Sequence, residues 1–108
     1  MAVRWVYITA GDEDEAHRIG RALVESRLAA CANIIGGMNA IYWWEGEIHE
    51  GKEAILIAKT HESAVPQLMG KVRSMHSYDC PCIIALPILE GNPDYSRWIE
   101  SETRPLTS

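Results

Sequence analysis

The densest group of chemically capable side chains is His76-x-x-Asp79-Cys80-Pro81-Cys82, which places an imidazole, a carboxylate and two thiols within seven residues. Neutral imidazole and thiolate are ligands for soft or borderline ions such as Cu(I) and Zn(II). The spacing is not that of a zinc knuckle, which uses C-x-x-C pairs. In an extended segment Cys80 and Cys82 share one face and Pro81 takes the other. The competing reading is structural: Cys82 fills a core strand, and His76 ends a helix whose carboxyl-terminal dipole favours its charge. Met75 adds a thioether suited to Cu(I), yet its position also fits a helical core stripe. Cys31 is the third thiol, at the start of an extended segment, and a free cysteine there is more often packing than ligand. His17, His49 and His61 have no ligand partner at useful spacing and read as surface residues.

Enzymatic chemistry finds no support. There is no G-x-S-x-G, no H-E-x-x-H and no phosphate-cradling glycine loop, since Gly36-Gly37 is too short and more strand follows it. The loop Ala10-Gly11-Asp12-Glu13-Asp14-Glu15 is acidic and would repel a phosphate, which excludes an acylphosphatase-type site there. Glu45 and Glu47 flank a turn and read as a solvated loop.

The elements that must position these groups follow from periodicity. Residues 3–9 are β-branched and aromatic and predict a strand. Asp12 with Glu15 is a capping-box pattern, and Ala16, Ile19, Leu23, Val24 and Leu28 then recur at helical spacing, so a helix is expected over about 13–28. From Ala32 to Trp44 the pattern is extended, with Gly36-Gly37 marking a bend or bulge and Glu45-Gly46-Glu47 a turn. Ala54–Ala58 is apolar on both faces and reads as a central strand. Val65, Leu68, Met69, Val72 and Met75 share a helical stripe, and Pro66 requires that helix to start near 63–65. A fourth strand is expected at Cys82–Leu89, then a short helix capped by Asn92, with Tyr95, Trp98 and Ile99 together and a frayed tail over 103–108.

That order, β-α-β-β-α-β with a terminal helix, predicts one α+β domain over 1–108: a ferredoxin-like sandwich with two helices on one face of an antiparallel sheet. The two middle strands, joined near residue 46, would be about twice the common ~5–6 residues. The hairpin must therefore project, carrying Tyr42, Trp43 and Trp44 at its tip, and exposed aromatic strands recruit partners. Self-association is the expected outcome.

Of the 108 residues, 47% are hydrophobic and 23% charged, the balance of a globular domain. Fifteen acids against ten bases give a net charge of −5, which argues against nucleic acid and against an anionic membrane surface. Met1 leads straight into a strand with no leader pattern, and three cysteines do not make a disulfide framework, so a reducing, cytoplasmic setting is expected.

Several stretches together resemble the CutA family of divalent-cation tolerance proteins. They are Thr9-Ala10 with the acidic helix start, Leu23-Val24-Glu25-Ser26-Arg27-Leu28-Ala29-Ala30-Cys31-Ala32-Asn33-Ile34, and Ile41-Tyr42-Trp43-Trp44-Glu45-Gly46. Lys59-Thr60, His76-Ser77-Tyr78-Asp79-Cys80-Pro81, Ala85-Leu86-Pro87 and Gly91-Asn92-Pro93-Asp94-Tyr95 leading to Trp98 follow in order. The resemblance implies a ferredoxin-like fold, a homotrimer built through the long hairpin, and a link to copper and other divalent ions, with no organic cofactor. It keeps His76, Cys82, Cys31 and Met75 as candidate metal contacts. It also implies that Trp44, Glu45, Lys59 and Tyr78 line a cleft between subunits, either as packed interface with Lys59 paired to a neighbour's carboxylate, or as a pocket for a small metabolite or nucleotide in a signalling scaffold. Ser77, Asp79 and Cys82 depart from the family pattern, which usually has Pro, then Glu or Gln, then Glu at these places.

Overall fold

The computed structural model describes residues 2–103. β1 (Val3–Ala10) is followed by α1 (Glu13–Glu25), β2 (Cys31–Trp44), β3 (Glu47–His61), a short 3₁₀ turn (Glu62–Ala64), α2 (Val65–Met75), β4 (Ile83–Pro87) and α3 (Pro93–Glu102). The sheet is antiparallel in the order β2-β3-β1-β4, the expected ferredoxin-like arrangement.

Alternation decides which face is which. Val6, Ile8 and Ala10 of β1, with Ala54, Leu56 and Ala58 of β3, point to one side and pack under Ala16, Ile19 and Leu23 of α1 and Leu68 and Val72 of α2. Gly20 lets α1 settle on the sheet, because a Cβ there would lie 3.0 Å from Leu56 Cδ1 and 3.1 Å from Ala32 Cβ. The opposite face carries Trp5, Tyr7, Thr9, Ile55, Ile57 and Lys59, and α3 covers only the end of it nearest Cys31 and Lys59.

Most boundaries match the periodicity, and the exceptions have local causes. α1 stops three residues before the expected Leu28. Ser26 turns its hydroxyl back to Ala22 O at 2.7 Å, and Arg27 takes a left-handed φ of 64°. β4 begins at Ile83 and ends at Pro87, so Cys82 precedes the strand instead of filling its core. At the other end, Thr103 is buried, and both its N–H and its hydroxyl bond Ile99 O, closing α3. The expected fraying therefore does not begin there, and 104–108 lie outside the described residues.

The long hairpin is present: β2 has 14 residues and β3 has 15. Gly37, at φ 70°, marks the register shift between Ile35 and Met38, where Gly36-Gly37 predicts a bulge. At the tip Glu45 and Gly46 have φ 51° and 80°, the two positive values a tight type I′ turn needs. Among the described residues no helix is long and apolar enough to cross a membrane.

Candidate functional site

Register places Met38, Ala40, Tyr42 and Trp44 on the same face of the hairpin as Glu53, His49 and Glu47. This face continues the open side of the sheet through Thr9 and Tyr7. The segment between α2 and β4 closes the other side, and the space enclosed is a cleft of about 670 Å³ lined by Tyr7, Thr9, Tyr42, Trp44, Glu53, Tyr78, Asp79, Cys80 and Cys82, among others.

Two side chains hold that closing segment down. His76 caps the end of α2 and its Nε2 lies 2.7 Å from Thr9 O, while Nδ1 accepts from the Tyr78 N–H at 3.0 Å. The second bond makes Nδ1 the acceptor, so Nε2 carries the proton and donates to the carbonyl. Glu15, buried at the start of α1, accepts from the Gly11 N–H at 2.8 Å, the Ser77 N–H at 2.8 Å and the Ser77 hydroxyl at 3.1 Å. Burial works to raise its pKa. The bonds from Gly11 and Ser77, with His76 nearby, outweigh that and hold the carboxyl below its ordinary value.

Inside the cleft Tyr78 and Cys82 are held towards their neutral forms. Burial first, then the Glu53 carboxylate, Tyr42 and Glu15, push the Tyr78 phenol up to about 12. Burial and Glu53 likewise push the Cys82 thiol up, against a smaller opposing effect of the Thr9 hydroxyl. Cys80 is exposed at the rim. A thiol held towards its neutral form at Cys82 is the opposite of an activated nucleophile.

The structure brings some of the sequence-selected residues together and separates others. Cys82, Cys80, Asp79, Trp44 and Tyr78 share the cleft. His76 is beside it, with both ring nitrogens engaged. Met75 packs against the core. Cys31 lies level with Lys59 and Trp5, four residues along the sheet from Thr9, which is about 13 Å at ~3.3 Å per residue. Its Sγ is 3.5 Å from the Tyr95 hydroxyl, and Lys59 Nζ reaches the same hydroxyl at 3.4 Å and Asn33 Oδ1 at 3.0 Å. Lys59 and Cys31 therefore form a second cluster under α3. Glu45 stays at the exposed hairpin tip.

Glu15, Glu53, Thr9 and Tyr7 were not singled out from the sequence. Glu15 carried a signal as the residue that closes a capping box, three positions after Asp12, and Asp12 does accept from its N–H at 2.8 Å. Its carboxylate, however, reaches Gly11 and the distant Ser77. Glu53 could have been placed by counting back two from the apolar Ile55.

The described chain matches the family model for CutA1 divalent ion tolerance protein over residues 4–102. It is 47% identical over 98 residues to the divalent-cation tolerance protein CutA of Thermus thermophilus, covering 91% of this chain and 95% of that protein. It is 41% identical to human Protein CutA, covering 98% of this chain but 59% of that longer protein. The solved Thermus thermophilus structure superposes with a TM-score of 0.92 at 45% identity, over 94% of this chain and 99% of that one. CutA from Xylella fastidiosa gives 0.93 at 33% identity, over 96% and 100%.

Proposed function

The chain belongs to the family of CutA1 divalent ion tolerance proteins, and on that premise we propose that it is a non-catalytic homotrimer that takes up copper, or another divalent metal ion, at the hairpin cleft. The observation that carries the metal reading is that two thiols, Cys80 and Cys82, open onto one cleft lined by no Lys, Arg or His among the described residues. The donor set selects the ion. Among the described residues no three of His, Cys, Asp and Glu converge into a metal cage, so a hard ion wanting six or more oxygens has no ready site. Paired sulfur donors suit Cu(I). His76 joins the set only by giving up the Tyr78 N–H or the Thr9 carbonyl, so it holds the segment bearing the thiols in place. Met75 and Cys31 are too occupied elsewhere to be primary donors.

Assembly is supported by the hairpin, whose Trp43 and Ile48 stand 71% and 60% exposed on the side away from the cleft. Three free cysteines suit the reducing cytoplasm.

Competitive titration with a chromophoric Cu(I) chelator tests the metal site on reduced protein. Cys82→Ser and Cys80→Ser should each lose about tenfold or more in affinity. Cys31→Ser should match wild type. Because the Cys82 thiol must shed its proton to bind, affinity should also fall as pH drops. Wild-type affinity in both cleft variants, or damage from Cys31→Ser alone, would sink the assignment.

The size of the cleft, about 670 Å³, also favours a second reading, a small-molecule pocket in a signalling scaffold, since such pockets span roughly 300–1,000 Å³.

A further inference from the structure

We infer that Glu15, in the first turn of α1, is a positioning residue for the thiol pair Cys80 and Cys82 and acts on it through Ser77; its role at the metal rests on those thiols being the copper donors. Between the end of α2 at Met75 and the start of β4 at Ile83, neither helix nor strand fixes the chain. Both thiols lie in that run, so their place is set by where the run is tied at its two ends. One tie is the sheet, where Ile83 pairs with Ile8 of β1. The other is Ser77, whose N–H donates to Glu15 Oε2 at 2.8 Å and whose hydroxyl donates to Glu15 Oε1 at 3.1 Å. Only residues 78–82 are left between the ties, and they include both thiols. His76 supports the second tie, with Nε2 on Thr9 O at 2.7 Å and Nδ1 accepting from the Tyr78 N–H at 3.0 Å. One short stretch, from Ile8 to Glu15, therefore holds the run at both ends.

Glu15 is itself held still. It is buried, its Oε1 accepts from the Gly11 N–H at 2.8 Å, and its own N–H is bonded to Asp12 at 2.8 Å. A Cβ on Gly11 would stand 3.3 Å from that oxygen, so glycine lets the carboxylate come close to the backbone. The first turn of a helix also favours a negative charge. An ionised carboxylate only accepts, and the groups it meets from Gly11 and Ser77 all donate. An amide in its place must turn its NH₂ against a donor. With its oxygen kept on Gly11, the Gln amide nitrogen faces the Ser77 N–H and releases it. Each of these bonds joins two groups of the same chain, and none depends on the charge or openness of the cleft.

Two measurements on reduced, untagged protein separate the positioning from the copper assignment. Hydrogen exchange on metal-free protein follows the Ser77 N–H, which is bonded to Glu15, and the Tyr78 N–H, which is bonded to His76 instead. Both should exchange about tenfold faster or more in Glu15→Gln, because losing the Ser77 tie frees the run as a whole. Competitive titration with a Cu(I) chelator should show about tenfold weaker binding in the same variant. Ser77→Ala, which removes the hydroxyl bond and keeps the N–H bond, should fall between that variant and wild type. Ile99→Val thins the core under α3, touches none of these bonds and controls for lost stability; it should match wild type in both measurements. Unchanged Tyr78 exchange in Glu15→Gln overturns the inference, as does wild-type copper affinity in that variant or an equal loss in Ile99→Val. If the wild-type protein takes up no Cu(I), the copper assignment falls, and Tyr78 exchange alone then decides whether Glu15 positions the segment.

Discussion

Trp43→Lys combined with Ile48→Lys should convert the protein from an oligomer into separate 12.1 kDa protomers at micromolar concentration. These two residues face each other across the hairpin, on the side away from the cleft, and are among its most exposed apolar groups. Truncating a buried interface aromatic commonly costs about 2 kcal/mol or more. Two lysines would also have to be stripped of water at the centre of the contact, so the combined effect should exceed about a hundredfold in the association constant. Light scattering after size exclusion reads the outcome directly. The hairpin itself should survive, because its tip is set by Glu45-Gly46 and its ladder runs from Met38↔Glu53 to Trp44↔Glu47. A variant that keeps the wild-type mass would place the contact on the other face, with Tyr42 and Trp44.

Glu15→Ala should destabilise the folded chain by about 3 kcal/mol, because three donors lose bonds to a charged partner that contribute about 1.5–3 kcal/mol each, while the cost of burying the carboxylate, which opposes them, is recovered. Glu15→Gln keeps the shape and should lose roughly half as much. The sign of the pH dependence follows from the lowered folded pKa. The stabilisation is complete above the ordinary value of 4.5 and disappears as pH falls through the lower folded value. Urea melts near pH 7 and about pH 3.5, at one fixed protein concentration, should therefore show a smaller acid loss in Glu15→Gln than in wild type. Equal acid sensitivity in the two proteins would place the acid-labile group elsewhere. The loss should also be felt in the cleft, because Glu15 and His76 are what press Ser77 and Tyr78 onto the β1–α1 junction.

Much of the fold was legible in the chain because its signals are local and agree with one another. Alternation in 3–9, the 3.6 period from Ala16 to Leu23, Pro66 in a first turn and Asn92 before Pro93 each specify one backbone, and each element appears where it was expected. The errors fall at ends, where one side-chain bond decides. Ser26 and Arg27 stop α1 early, and Thr103 closes α3 on Ile99. The site was legible only in part. The His76–Cys82 run, read as a candidate metal-ligand cluster, forms the segment that closes the cleft, but spacing along the chain could not say that the His76 ring would spend both nitrogens on backbone. Nor could it say that Cys31, grouped with His76 as a metal contact, would stand about 13 Å along the sheet beside Tyr95. Lys59 shows the same limit: the cost of an ammonium at that position was evident, while its partners Asn33 and Tyr95 come from β2 and α3. Glu53 was legible in its face, two residues back from Ile55, and Gly36-Gly37 marked the bulge, but the partner Met38 depends on how far the register shifts there.

Native mass spectrometry of untagged, reduced protein after exposure to Cu(I) tests the central claim most directly, because it reports subunit number and retained metal in one spectrum. The predicted result is a species of three 12.1 kDa protomers carrying copper, which Cys80→Ser and Cys82→Ser together strip of metal without changing its subunit number. A single protomer, or a trimer that retains no copper, would contradict it.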